Sequence, residues 1–263
     1  MKKKRKEFTP AKRKKIRRRI LFSAGILLGV TLIGASIYIG VFSDVPKVRE
    51  VRVHGNRLVG EKEIIVEAVR VLEKEDWWKN VLGRDHILFW RPGNIQGIEK
   101  TLRKLKTARV ERSMEKRAVI IEVEEEEANG VWCVPGGVCF AFNEKGVLFA
   151  ESPDVRGYLI IKIMGEEGAP TAVGDEVLGN AEWFQNIRKT IEGVEGAGIK
   201  IRSAEMRDRG RKEWSIETAE GAEMLFSLDR SPENIGLILQ ELKKEGEKGR
   251  IMDFRVPEKI YIK

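Results

Sequence analysis

Histidine is nearly missing from this chain: His54 and His86 are the only two among 263 residues. Two imidazoles in different elements are too few for most metal centres, and no H-E-x-x-H helix can be written. The nucleophile elbow G-x-S-x-G and the glycine loops that cradle phosphate are missing as well. Gly193, Gly196 and Gly198 cluster, but they follow a helical stretch, whereas a pyrophosphate loop follows a strand and opens a helix; they read as a loop. One short pattern needs weighing. Ser113-Met114-Glu115-Lys116 fits S-x-x-K, the acylated-serine motif of penicillin-binding proteins. In those enzymes the motif opens a helix, so that Lys lies one turn from Ser. Here it sits in a turn between two short strands, without an S-D-N or K-T-G companion. No enzyme and no cofactor is expected.

Charge of either sign is missing from Ile20 to Ser43, and this gap says most. At about 1.5 Å per residue the gap spans roughly 36 Å of helix, enough to cross a hydrocarbon core of about 30 Å. A cleaved signal peptide would carry a shorter apolar run ending at an A-x-A-like site, and none is convincing here, so an uncleaved anchor is expected. Before it, residues 1–19 hold twelve Lys or Arg against Glu7 alone. Removing those from the chain's 49 bases and 41 acids leaves 37 against 40, so the basicity belongs to the tail. A nucleic-acid-binding face would need its bases on the folded part, and nucleic acid is not expected as a partner. Bases packed against one end of an apolar span keep that end in the cytoplasm, which puts the bulk of the chain outside it, a single-pass type II arrangement. Within the span, Gly25 and Gly29 form a G-x-x-x-G pair, and Ser36 and Gly40 repeat the small-residue spacing. These either admit a second membrane helix or reflect the frequency of glycine in such helices.

Only two cysteines occur, Cys133 and Cys139, with no C-x-x-C. If Pro135-Gly136-Gly137 makes a three-residue hairpin loop, the two face each other across paired strands. A disulfide in an oxidising compartment is the favoured reading, two small buried thiols the other.

Periodicity divides the rest. Val48–Val53 alternates apolar and polar as a half-buried strand does, and His54-Gly55-Asn56 turns it. A helix is expected from Glu61, burying Ile65, Ala68, Val69 and Leu72. Trp77 to Trp90 is irregular and aromatic. Ile95, Ile98, Leu102 and Leu105 suggest a second helix, followed by strands at Ala108–Arg112 and Arg117–Glu124. Glu124–Glu127 is a solvated strand end, since successive strand residues face opposite ways. Beyond it, strands are expected at Val131–Cys133, Val138–Phe142, Val147–Phe149, Tyr158–Ile163, Ile199–Arg207, Trp214–Thr218, Glu223–Leu228, Ile251–Arg255 and Ile260–Lys263. Two helices interrupt them, one over Ala181–Glu192 and one opening at Ser231 and Pro232 with Ile235, Ile238, Leu239 and Leu242 inward. The fold class is α+β: a tail (1–19), a transmembrane helix (20–43), a β-α-α-β-β domain (44–127) and a β-rich domain with two helices (128–263).

The combination of basic tail, single anchor and β-α-α-β-β module resembles the FtsQ family of bacterial division proteins, called DivIB in Gram-positive organisms, whose module is of the POTRA type. Val51-Arg52-Val53-His54-Gly55-Asn56 is similar to the family's V-x-V-x-G-N, and His86-Ile87-Leu88-Phe89 to its N-L-F step. Leu102 to Arg112 with Val119–Val123 resembles the close of its module. Val131-Trp132, Gly146–Phe149, Ile251-Met252-Asp253-Phe254-Arg255 and Ile260-Tyr261-Ile262 resemble later segments, the last two its I-D-L-R…v-y-v. The proline usual in the module's hairpin is missing near Ser113–Arg117, and the helix junction is longer. The resemblance implies a scaffold in the cytoplasmic membrane at the division septum, binding FtsB/DivIC- and FtsL-like proteins. It implies that a partner adds as a strand at Ile251, Asp253, Arg255, Ile260, Tyr261 and Ile262. The alternative is a membrane-anchored POTRA protein of envelope assembly or secretion, which would show tandem modules or a barrel pattern; neither is seen.

Overall fold

The computed structural model describes residues 10–75, 82–155, 160–245 and 250–263. Residues 1–9 of the tail, Trp77 and Trp78 of the aromatic stretch, and Tyr158 of an expected strand lie outside them. Helix α1 runs over Pro10–Phe42, and its apolar window, Leu21–Val41, is long enough to cross a membrane. The helix therefore begins well before the uncharged stretch and takes in much of the basic tail. The chain is mixed α and β and divides into two compact units. The first takes in residues up to Gly55, then Gly60–Gln96 and Ala108–Val123; the second takes in Asn56–Val59, Gly97–Thr107 and Glu124–Lys263. A single cut at residue 127 does not describe this, because periodicity locates elements but not the unit in which each end of a strand packs.

The first unit is built on strands β1 (Glu50–His54), β2 (Gly93–Asn94), β3 (Leu105–Ser113) and β4 (Ala118–Glu125), ordered β1-β4-β3-β2, with β1 parallel to β4. Helix α2 (Glu61–Glu75) lies against β1. It buries Ile64, Ala68, Val69 and Leu72, while Ile65 is only half-buried, so the inward stripe starts one residue earlier than expected. The expected second helix shrinks to α3 (Ile98–Thr101). Gly93 and Gly97 adopt positive φ on either side of Ile95, which stops a helix there, and Leu105 opens β3 instead. All four apolar positions of the stripe are nevertheless buried. Gly55 follows β1 at φ 91°, and a Cβ there would meet the Val123 carbonyl oxygen at 2.1 Å, so only glycine fits this turn. His86 is buried; its Nδ1 accepts from the Leu88 N–H at 3.1 Å, leaving Nε2 to donate to the Gly40 carbonyl at 2.9 Å. That carbonyl lies in the last turn of α1, where intrahelical donors run out.

The second unit holds a nine-stranded sheet ordered β13-β12-β11-β10-β9-β8-β5-β6-β7. Its strands are β5 (Gly130–Cys133), β6 (Cys139–Phe142), β7 (Leu148–Ser152), β8 (Ile161–Met164), β9 (Ile201–Asp208), β10 (Glu213–Thr218), β11 (Glu223–Ser227), β12 (Ile251–Asp253) and β13 (Tyr261–Ile262). Helices α4 (Ala181–Gly196) and α5 (Ile235–Glu245) complete its core, which includes Trp132, Phe142, Phe184, Ile187, Trp214, Phe226 and Leu239. Trp214 and Phe254 flank Phe226 at ring-centroid distances of 4.9 and 5.2 Å. Each such buried ring contributes about 2–3 kcal/mol. Asn180 caps α4 by accepting from the N–H groups of Glu182 and Trp183.

Two expectations change here. Gly193 and Gly196 lie inside the last turns of α4, with only Gly198 beyond it, and a Cβ on Gly193 would meet Ile235 Cγ2 at 2.4 Å. That glycine lets the two helices touch. Helix α5 starts at Ile235, not Ser231, because Asn234 sits at φ 53°, and the Ser231 hydroxyl instead meets Thr190 Oγ1 at 2.9 Å.

Candidate functional site

At the carboxy-terminal side of the nine-stranded sheet, β12 runs parallel to β11, with Met224 beside Met252 and Leu225 beside Asp253. The chain then turns through Val256–Lys259, with Glu258 at φ 57°, and returns antiparallel as β13. Ile251 and Lys263 exchange both backbone hydrogen bonds, at 3.1 and 2.9 Å. In an antiparallel ladder such mutually bonded pairs alternate with unbonded ones. Met252 and Ile262 form the next pair, so the N–H and C=O of Ile262 point away from β12, toward the open side. Among the described residues, β13 is thus an edge of the sheet that offers strand-pairing groups.

The six residues expected at a partner site are brought together here but divide by role. Of the six, Ile260 packs against the core, as does Met252, which was not among them. Tyr261 is 50% exposed and Ile251 37%, and Ile262 is half-buried. Asp253 and Arg255 are engaged within the fold. Arg255 Nε and Nη2 grip the two carboxylate oxygens of Asp253 at 2.9 and 2.7 Å, and Nη1 reaches Glu213 Oε1 on β10 at 2.6 Å. The Arg255 hydrogen bond holds the Asp253 carboxyl below the usual carboxylate range, and the same bond raises Arg255. The pair fastens the edge to the sheet interior. Glu213 was not foreseen, since strand register places it 42 positions away in sequence.

The opposite edge is partly closed. Leu148 of β7 donates to the Asp175 carbonyl at 2.9 Å and accepts from the Gly174 N–H at 2.7 Å. The first unit has its own edge strand, β1, beside a groove of about 530 Å³ lined by Val48, Val51, Ile65, Val66, Val69 and Trp90 among others.

Cys133 and Cys139 are paired across β5 and β6 and joined as a disulfide. Val134 donates to the Val138 carbonyl, which closes the three-residue loop Pro135-Gly136-Gly137. Among the described residues, Cys133, Cys139 and Asp154 lie close enough to share a metal ion, but both sulfurs are spent in the disulfide and Asp154 pairs with Lys162. The Ser113 hydroxyl accepts from the Lys116 backbone N–H at 3.3 Å, which makes S-x-x-K a turn closure.

The chain matches no protein-family model, and no curated protein matches it.

Proposed function

We propose that this chain is a non-enzymatic scaffold, held to a membrane by α1 with its basic end in the cytoplasm, which takes up partner segments by strand addition. The particular reading is a division protein of the FtsQ/DivIB kind, in the cytoplasmic membrane at the septum, with FtsB/DivIC- and FtsL-like partners. The observation that carries it is the β13 edge. Ile262 turns its backbone donor and acceptor outward, Tyr261 stands exposed beside them, and the Asp253–Arg255–Glu213 clamp keeps the strand in place. An edge of this kind gives affinity through backbone hydrogen bonds and specificity through alternate side chains.

Ile262→Pro tests it, because proline deletes the outward N–H while leaving the β12–β13 bonds at Lys263 in place. The full chain should bind the host's FtsB/DivIC-like protein at least about tenfold more tightly than the variant, whose circular dichroism should match. Equal binding moves the site elsewhere. Failure of the unsubstituted chain to bind either candidate partner sinks the reading.

A further inference from the structure

A cavity of about 590 Å³ opens within the second unit, between the last turns of α5 and the adjoining ends of β9, β10, β11 and β12. That volume suits a small organic ligand. Its floor is apolar. Met224 and Leu239 are buried there, and Ile199, Leu242 and Met252 are half-buried. Unbranched methionine side chains adapt readily to a flexible apolar guest. The rim is basic: Lys200, Lys243 and Arg250 stand exposed around it, against Glu220 as the one acid among the described lining residues. Three arginines associated with the same sheet are matched, Arg202 by Glu217, Arg207 by Glu223, and Arg255 by Glu213 and Asp253. Among the described residues, none of the three rim bases forms an ion pair.

The backbone around the opening is already engaged. Ala219 donates to the Lys200 carbonyl, Gly221 to the Thr218 carbonyl, Ala222 to Thr218 Oγ1 and Glu223 to the Arg250 carbonyl, at 2.8–3.0 Å. A peptide brings an amide with every residue and would leave those that enter the floor unpaired. A hydrocarbon chain has no such groups to satisfy, and a single anionic head answers the unmatched rim. We propose that the cavity binds a long-chain fatty acid, with its acyl chain over Met224, Leu239 and Met252 and its carboxylate among Lys200, Lys243 and Arg250. This goes beyond strand addition at β13 and does not depend on it, since neither Tyr261 nor Ile262 lines the cavity.

The test uses the full chain in phosphatidylcholine nanodiscs and a hexadecanoic acid that carries a diazirine at the end of its chain. After irradiation, labelled residues are mapped by mass spectrometry. Label should reach Met224, Leu239, Leu242 or Met252, and excess unlabelled hexadecanoic acid should lower it about tenfold. The matching diazirine alcohol, which lacks the charge, should label these residues about tenfold less. The acid should lose as much on a chain carrying Lys200→Gln, Lys243→Gln and Arg250→Gln, whose circular dichroism should match because all three side chains are exposed. The comparison of acid with alcohol needs no variant and decides the matter even where the substituted chain misfolds. Label on α1 alone, label that excess acid does not displace, or equal label from acid and alcohol overturns the proposal. So does undiminished label on the folded triple variant.

Discussion

At the residue scale, one carboxylate does the work of a backbone cap. Glu125, the last residue of β4, accepts from three consecutive N–H groups, those of Arg57, Leu58 and Val59, at 2.8–3.0 Å. Burial alone would push its carboxyl up, but the three donors outweigh burial and hold it below its ordinary value of 4.5. The folded protein thus binds this proton less tightly than the unfolded chain does. The resulting stability is fully present above about pH 4.5 and is lost as pH falls through the lower folded value. Glu125→Gln should therefore cost about 1–2 kcal/mol at pH 7 and much less at pH 3.5, read from urea melts at the two values. The same loss at both would mean that the charge is not what holds Arg57–Val59. Asp253 and Arg255 make a related point. Their charges look like binding groups in the sequence, yet their partners are each other and Glu213.

At the element scale, the hairpin β5–β6 is closed twice, by its ladder and by the Cys133–Cys139 bond. A link spanning six positions removes little loop entropy from the unfolded chain, so reduction should lower stability by only about 2 kcal/mol. Denaturant melts with and without reductant, beside a Cys133→Ser, Cys139→Ser variant, measure this. An unchanged midpoint would mean that the unfolded chain already keeps the two strands together. The element calling for most revision is the segment from Ile95 to Leu105. Its apolar spacing of three and four suits a helix, and every one of those residues is buried, yet only Ile98–Thr101 is helical. Periodicity reports which side chains go inward; the positive φ at Gly93 and Gly97 decides the backbone.

At the scale of the whole molecule, the proposed anchor, with the bases that precede the apolar window Leu21–Val41, calls for one orientation. Protease added to intact spheroplasts should digest the chain beyond residue 43 and leave the anchor with its basic extension protected. Protection of the carboxy-terminal region would reverse the proposed topology and undercut the proposed strand addition by extracytoplasmic partners. The sequence alone determined the uncharged span, the flanking bases, most strands of the second unit and the facing of Cys133 and Cys139, because these depend on residues near one another along the chain. It also marked Ile251–Arg255 and Ile260–Lys263 as strands. Only the tertiary structure decided that β13 is a sheet edge, that Ile262 turns its hydrogen-bonding groups outward and that Arg255 is shared by Asp253 and Glu213. It alone set the division into interleaved units. Each of these follows from strand order and register between segments far apart in sequence, which local propensity and periodicity do not encode.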